Sequence, residues 1–249
     1  MIRLPRAATL VTAGLLATQT AAADLQNMTE AERDAFRAEV RSYLMENPEV
    51  ILEAVQLLEQ RQADAQARAD FDLVASNADE IFNDGYSWEG GNPNGDIVLV
   101  EFLDYRCGFC RRATPEVERL LAEDGNIKLI IKEFPILGEA SLLTSRFAIA
   151  VKQVVGSDAY KDVHDALIEM SGEPNDIVLR RLSDSLGFDT EAVMAAIDSD
   201  AVTSEIARTR ALAQRLQING TPSFVLQDEL LRGFLPADQM AVMIADKRG

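Results

Sequence analysis

The 249-residue chain holds 41 Asp and Glu against 24 Lys and Arg, a formal net charge of −17 at pH 7. That balance excludes a nucleic-acid or anionic-membrane binder, since either partner would be repelled over most of the surface. Two cysteines and a single histidine, His164, cannot supply the four ligands of a Cys/His zinc centre, so no metal and no cofactor is expected.

In chain order, residues 1–23 read as a cleavable secretory signal. Arg3 and Arg6 precede a short apolar stretch, Ala7 to Ala17, and Ala21-Ala22-Ala23 offers a cleavage site before Asp24. The stretch is far below the roughly 20 residues of a membrane span. The mature chain is expected in an oxidising compartment, the periplasm for a bacterial-type signal.

Residues 24–68 read as a helical segment apart from the core. Thr29 with Glu32 fits a capping box, and Phe36, Val40, Tyr43 and Leu44 recur at helical spacing. Asn47-Pro48 interrupts the pattern and restarts it, with Asn47 as N-cap and Pro48 in the first turn. Ile51, Val55 and Leu58 then continue the stripe. Helices this narrow bury an apolar stripe only against something else. Self-association through residues 29–68 is the expectation; packing on the chain's own core is the alternative.

Residues 69–249 carry the core domain. Gly85, Gly90, Gly91 and Gly95 mark a turn-rich stretch with a short edge strand around Tyr86–Trp88. Ile97 to Leu103 is an apolar strand, Cys107 to Asp124 a helix kinked at Pro115, and Asn126 to Glu133 a second strand. Leu142 to Gln217 is helical, broken near Gly156, Gly172 and Gly187. Ser223 to Gln227 and Leu230 to Phe234 are strands, and Ala237 to Ala245 closes the chain as a helix. This βαβ, helical block, ββα order predicts an α/β thioredoxin fold with a helical insertion at about 139–217, plus the N-terminal helical extension.

Both cysteines stand in Cys107-Gly108-Phe109-Cys110, at a strand-to-helix junction. Thiols at this spacing close a disulfide within one helical turn, and unpaired N–H groups at a helix start favour the thiolate of the first. A purely structural bridge there would constrain the unfolded chain little. Thiol–disulfide chemistry is the reading. Arg106, Arg111 and Arg112 crowd the pair and are expected to add modestly to thiolate stability.

A second motif follows about 110 residues on: Gly220-Thr221-Pro222-Ser223-Phe224. Together with Glu101-Phe102-Leu103-Asp104-Tyr105-Arg106 before the cysteines, it resembles the DsbA-like family of thiol–disulfide oxidoreductases, from about Gly85 to the C-terminus. The stretch Arg41 to Val50 resembles the extension of the ScsC-like subgroup, some of whose members are oligomeric. The resemblance implies that Cys107 is the nucleophile, Cys110 the resolving thiol, and Cys107-Cys110 a redox-active disulfide. It implies that Pro222 is a cis-proline facing them, that Thr221 pairs its backbone with substrate, and that Glu101 is a buried acid accepting the proton of Cys110. Lys132 is a candidate companion for Glu101, Phe109 and Phe224 are candidate apolar substrate contacts, and His164 reads as packing.

Gly-Phe between the cysteines differs from the Pro-His of strongly oxidising members, and Thr before the proline resembles disulfide isomerases of the DsbC type. The expectation is therefore a periplasmic disulfide isomerase or reductase acting on unfolded or misoxidised exported proteins and kept reduced by a DsbD-like membrane reductase. The alternatives are a monomeric oxidase recycled by a DsbB-like oxidant, and a copper-handling or chaperone module.

Overall fold

The computed structural model describes residues 27–249, so the expected signal segment, residues 1–23, lies outside the described residues. The chain divides at residue 60 into two compact units. Two helices form the first, α1 (Glu30–Glu46) and the opening turns of α2 (Glu49–Ser76). Thr29 and Glu32 make the capping box: the Glu32 N–H donates to the Thr29 hydroxyl at 3.3 Å, and the Thr29 N–H donates to the Glu32 carboxylate at 2.8 Å. Asn47 corrects the expectation. Its amide donates to the Tyr43 carbonyl at 2.9 Å, so it closes α1 and does not cap α2. Side chains i and i+4 share a helix face, and Phe36, Val40, Ile51, Val55 and Leu58 are all exposed.

The second unit is built on a five-stranded sheet. Its strands are β1 (Trp88–Gly91), β2 (Ile97–Leu103), β3 (Ile127–Glu133), β4 (Ser223–Leu226) and β5 (Glu229–Arg232), in the order β1-β3-β2-β4-β5. Only β2 and β3 run parallel. Their connection is α4 (Gly108–Asp124), one helix with Pro115 inside it. Between β3 and β4 come α5 (Glu139–Val154), α6 (Ser157–Glu169), α7 (Asp176–Ser185), α8 (Thr190–Ala196) and α9 (Asp200–Arg215). The remaining helices are α3 (Ala78–Phe82) and α10 (Ala237–Arg248). This is the thioredoxin-like order of elements.

The edge strand starts at Trp88, where the expected one ended. Gly90 explains the glycine there: a Cβ would lie 2.1 Å from the Trp88 ring, which folds back across it.

β2 reads as a near-continuous apolar run because helices cover both faces of the sheet. One face, carrying Leu99 and Leu103, packs with Val117, Phe147, Ile149 and Val163 from α4, α5 and α6. The other, carrying Val100 and Phe102, packs with Val74, Ile81, Leu212 and Leu216 from the end of α2, α3 and α9.

Lys132 is a further correction. It shares the face of Phe102, opposite Glu101, and is fully buried. Its ammonium donates to Asp84 at 2.5 Å, to the Glu80 carbonyl at 3.0 Å and to Ser87 at 3.3 Å. Burial pushes the Asp84 carboxyl up, but the Lys132 charge and the Lys132 and Ser87 hydrogen bonds outweigh it and hold it below its usual range. Removing one partner of a buried pair strands the other. Asp84→Ala is therefore expected to cost about 3–4 kcal/mol in urea unfolding at pH 7. A cost below about 1 kcal/mol would show that the ammonium rehydrates instead.

Candidate active site

The chain leaves β2 at Leu103 and enters α4 through Asp104, Tyr105 and Arg106. Asp104 organises that turn. Fully buried, it accepts the Arg106 N–H at 2.8 Å with one carboxylate oxygen, and the Ile136 and Leu137 N–H groups at 2.8 and 3.1 Å with the other. Its carbonyl takes the Cys107 N–H at 3.0 Å. One carboxylate thereby fixes the β2–α4 turn against the loop after β3. The sequence reading passed over it, although an Asp bonding the N–H two residues on is an Asx turn and could have been anticipated.

Cys107 is the N-cap of α4 and 7% exposed; Cys110, one turn in, is 0% exposed. The Cys107 Sγ donates to the Thr221 carbonyl at 3.1 Å, and the Thr221–Pro222 bond is cis. Two segments 114 residues apart thus meet at the sulfur. The sulfur sits where the first N–H groups of α4 have no helical acceptors.

The three arginines hold other partners. Arg106 donates to the Gly172 carbonyl at 2.7 Å and to Glu173 at 3.2 Å. Arg111 donates to the Tyr105 carbonyl at 3.1 Å, and Arg112 lies 4.2 Å over the Phe109 ring. Phe109 is 54% exposed beside the pair of thiols. Phe224 is not: it is fully buried in the sheet, directly across from Glu101. Its place as a substrate contact is overturned, because β4 is buried on both faces.

Beneath the cysteines lies a group of acids. Glu101 is buried, and its Oε1 has no hydrogen-bond partner among the described residues. Burial, and then the nearby Glu133 carboxyl, push its pKa up to about 8. Cys110 is driven in the same direction, far above a free thiol, by burial and by the Glu101 charge. Both shifts have burial as their largest cause, and both favour the neutral, protonated form.

His164, read as packing, is indeed buried. Its Nδ1 lies 3.3 Å from the Tyr105 hydroxyl, which donates to Glu133 at 2.7 Å. Tyr160 donates to the same Glu133 oxygen at 2.6 Å. The sequence reading missed Tyr105, Glu133 and Tyr160 altogether. The available signal was an acid closing the strand Ile127 to Glu133 in a sheet covered on both faces.

The model of the DSBA-like thioredoxin domain matches residues 98–245, and that of the copper resistance protein ScsC N-terminal domain matches residues 32–65. The chain belongs to the DsbA-like family. It is a thiol–disulfide oxidoreductase of the DsbA/ScsC type. Among solved structures, a thioredoxin-like oxidoreductase from Silicibacter pomeroyi is 42% identical, covering 69% of this chain and 98% of its own, at a TM-score of 0.65. BcfH from Salmonella enterica Typhimurium is 28% identical over 88% of this chain and 97% of its own, at 0.70. ScsC from Proteus mirabilis, in a transitional conformation, is 27% identical over 88% and 96%, at 0.63. The matched curated relatives are 23–26% identical; the chain spans 72% of the length of the first but only 20–25% of three others, which are sodium/proton antiporters. No helix among the described residues is long and apolar enough to cross a membrane.

Proposed function

We propose that this oxidoreductase works as a disulfide isomerase and reductase on exported proteins in the periplasm, as an assembly of several copies. The Cys107 thiolate attacks a misplaced disulfide, one substrate sulfur leaves as thiolate, and a mixed disulfide forms. A second substrate thiolate then displaces Cys107, leaving a new pairing. Where none arrives, Cys110 closes the Cys107–Cys110 disulfide, its proton passing to Glu101, and a membrane reductase restores the dithiol. Thr221 supplies backbone for an extended substrate segment, and Phe109 supplies apolar contact.

One observation carries the choice of isomerase: the apolar stripe of α1 and α2 is uncovered. Phe36, Val40, Leu44, Met45 and Ile51 line an apolar groove within the first unit, in the segment that matches the ScsC N-terminal domain. A patch of this kind is a protein-contact surface, and a second copy of the same helices offers the matching stripe. Gly108-Phe109 between the cysteines supports the same reading.

The test compares the mature chain with residues 61–249 by light-scattering mass and by refolding of scrambled ribonuclease. The mature chain is expected to be oligomeric and active in refolding. The shortened chain should be monomeric, lose most of the refolding activity and still reduce a simple disulfide. Monomers in both, with equal activities, would discard the isomerase in favour of an oxidase.

A further inference from the structure

Two buried carboxyls stand under the cysteines, and the disulfide chemistry described above uses only one. Glu101 on β2 and Glu133 on β3 share a sheet face. The register pairs Glu101 with Ile131 and Leu103 with Glu133, so the two acids lie one two-residue step apart on adjacent parallel strands. A water-sized cavity of about 70 Å³ opens beside Glu101, lined also by Thr114, Glu118, Lys161 and His164 among others. That volume suits one or two waters, and the lining supplies the two to four polar partners each would need.

Glu133 is held from several sides. Tyr105 from the β2–α4 turn and Tyr160 from α6 both donate to its Oε1. The Tyr105 hydroxyl, which donates to Glu133, also lies 3.3 Å from His164 Nδ1 and ties the imidazole to the cluster. Trp88 stacks on Tyr160 at 5.4 Å, and Tyr160 on His164 at 6.0 Å. This aromatic packing keeps the cluster in one arrangement.

We propose that Glu133 is a positioning residue for the redox reaction: its charge sets how readily Glu101 takes the Cys110 proton, and the cavity beside His164 is where that proton is exchanged with water. The step balances as Cys110–SH, the Glu101 carboxylate and the Cys107–S–S–substrate bond giving the Cys107–Cys110 disulfide, the Glu101 carboxylic acid and the substrate thiolate. Glu101 then returns its proton to cavity water, whose outer wall carries Glu118 and Lys161.

The charged groups facing the pair are few. From α4 come Cys110 and Glu118. From α5 comes Lys152, which is bonded to Glu205 of α9. From α6 come Tyr160, Lys161, already paired with Glu118 and Asp165, and His164. Tyr105 completes the set. Burial, followed by the charge of Lys161, holds His164 down at about 3, so it stays neutral. Burial raises Glu133 to about 7, against the hydrogen bonds of Tyr160 and Tyr105 and the charge of Lys152. Burial thus raises both carboxyls, and the Glu133 charge raises Glu101 further.

This rests on the reading of Cys107 and Cys110 as the redox pair. The test isolates the second half of that reaction. Full-length mature protein is trapped as a mixed disulfide of Cys107 with a small thiol, and closure of the Cys107–Cys110 bond is followed by stopped flow from pH 5 to 10. The wild-type rate should rise through a midpoint near 8, the value for Glu101. Glu133→Gln keeps both tyrosine hydrogen bonds and is expected to move the midpoint down by about one unit. Tyr160→Phe, which weakens the ionised form of Glu133, should move it the same way by less, and carries the test should the first variant fail to fold. An unshifted midpoint in both variants overturns the proposal and leaves the redox reading intact. A wild type that never closes the disulfide overturns both.

Discussion

Cys107→Ser is expected to abolish thiol–disulfide exchange, a loss of at least about 1,000-fold, because a hydroxyl at that position supplies no usable nucleophile at neutral pH. Cys110→Ser should do something different. Cys107 is the sulfur at the helix start, 7% exposed and against Thr221, whereas Cys110 is sealed from solvent and its thiol is pushed far up by burial and by the Glu101 charge. The Cys110→Ser protein keeps its attacking thiol and loses its escape, so it should accumulate as mixed disulfides with substrate. Mass spectrometry after acid quenching separates the two outcomes. Trapped adducts on Cys110 in the Cys107→Ser protein would reverse the assignment.

The second large effect is on stability against pH. Glu101 and Glu133 have folded-state pKa values raised from 4.5 to about 8 and about 7. A raised carboxyl stabilises fully below its unfolded value, and that contribution is lost as pH rises through the folded one. His164 has the opposite sense, because its folded value is lowered from 6.5 to about 3. Its contribution is complete above 6.5 and is lost as pH falls toward 3. Between 6.5 and 4.5 the two carboxyls outweigh the one imidazole, so stability should peak near pH 5. From there to pH 9 it should fall by about 5 kcal/mol, with Cys110 adding in the same direction at the alkaline end. Urea titrations of the reduced protein measure this directly. Glu101→Gln should flatten the alkaline limb; a limb of unchanged steepness in that variant would assign the loss to other groups.

The difference between what could and could not be read from the sequence has a physical basis. Period and punctuation carry local structure, so the capping box at Thr29, the strand Ile97 to Leu103 and the helix after Cys107 were legible residue by residue. The Cys107–Cys110 pair was legible because two thiols at that spacing have few other uses. The partners of buried charges were not. Lys132 was assigned to Glu101 by closeness in sequence pattern, but adjacent positions on neighbouring strands alternate between faces, and only the register shows that Ile131, not Lys132, stands beside Glu101. Phe224 failed for a related reason: only the pairing of β4 between β2 and β5 shows that the strand is buried on both faces. Tyr160 reaches Glu133 from 27 residues further on in the chain, and His164 reaches Tyr105 from 59, distances no local pattern spans.

The sheet is one backbone thick, and here it works as an insulating wall. On one side lie two carboxyls with no ammonium bonded to them; on the other lies an ammonium caged by Asp84, Glu80 and Ser87. Had that cation stood one residue earlier in β3, at the position facing Glu101, the acid would be an ordinary ion-paired carboxylate, too weak a base to draw a proton from a buried thiol. The parity of one lysine along one strand thus decides whether the compartment under the cysteines stores protons or merely stores charge.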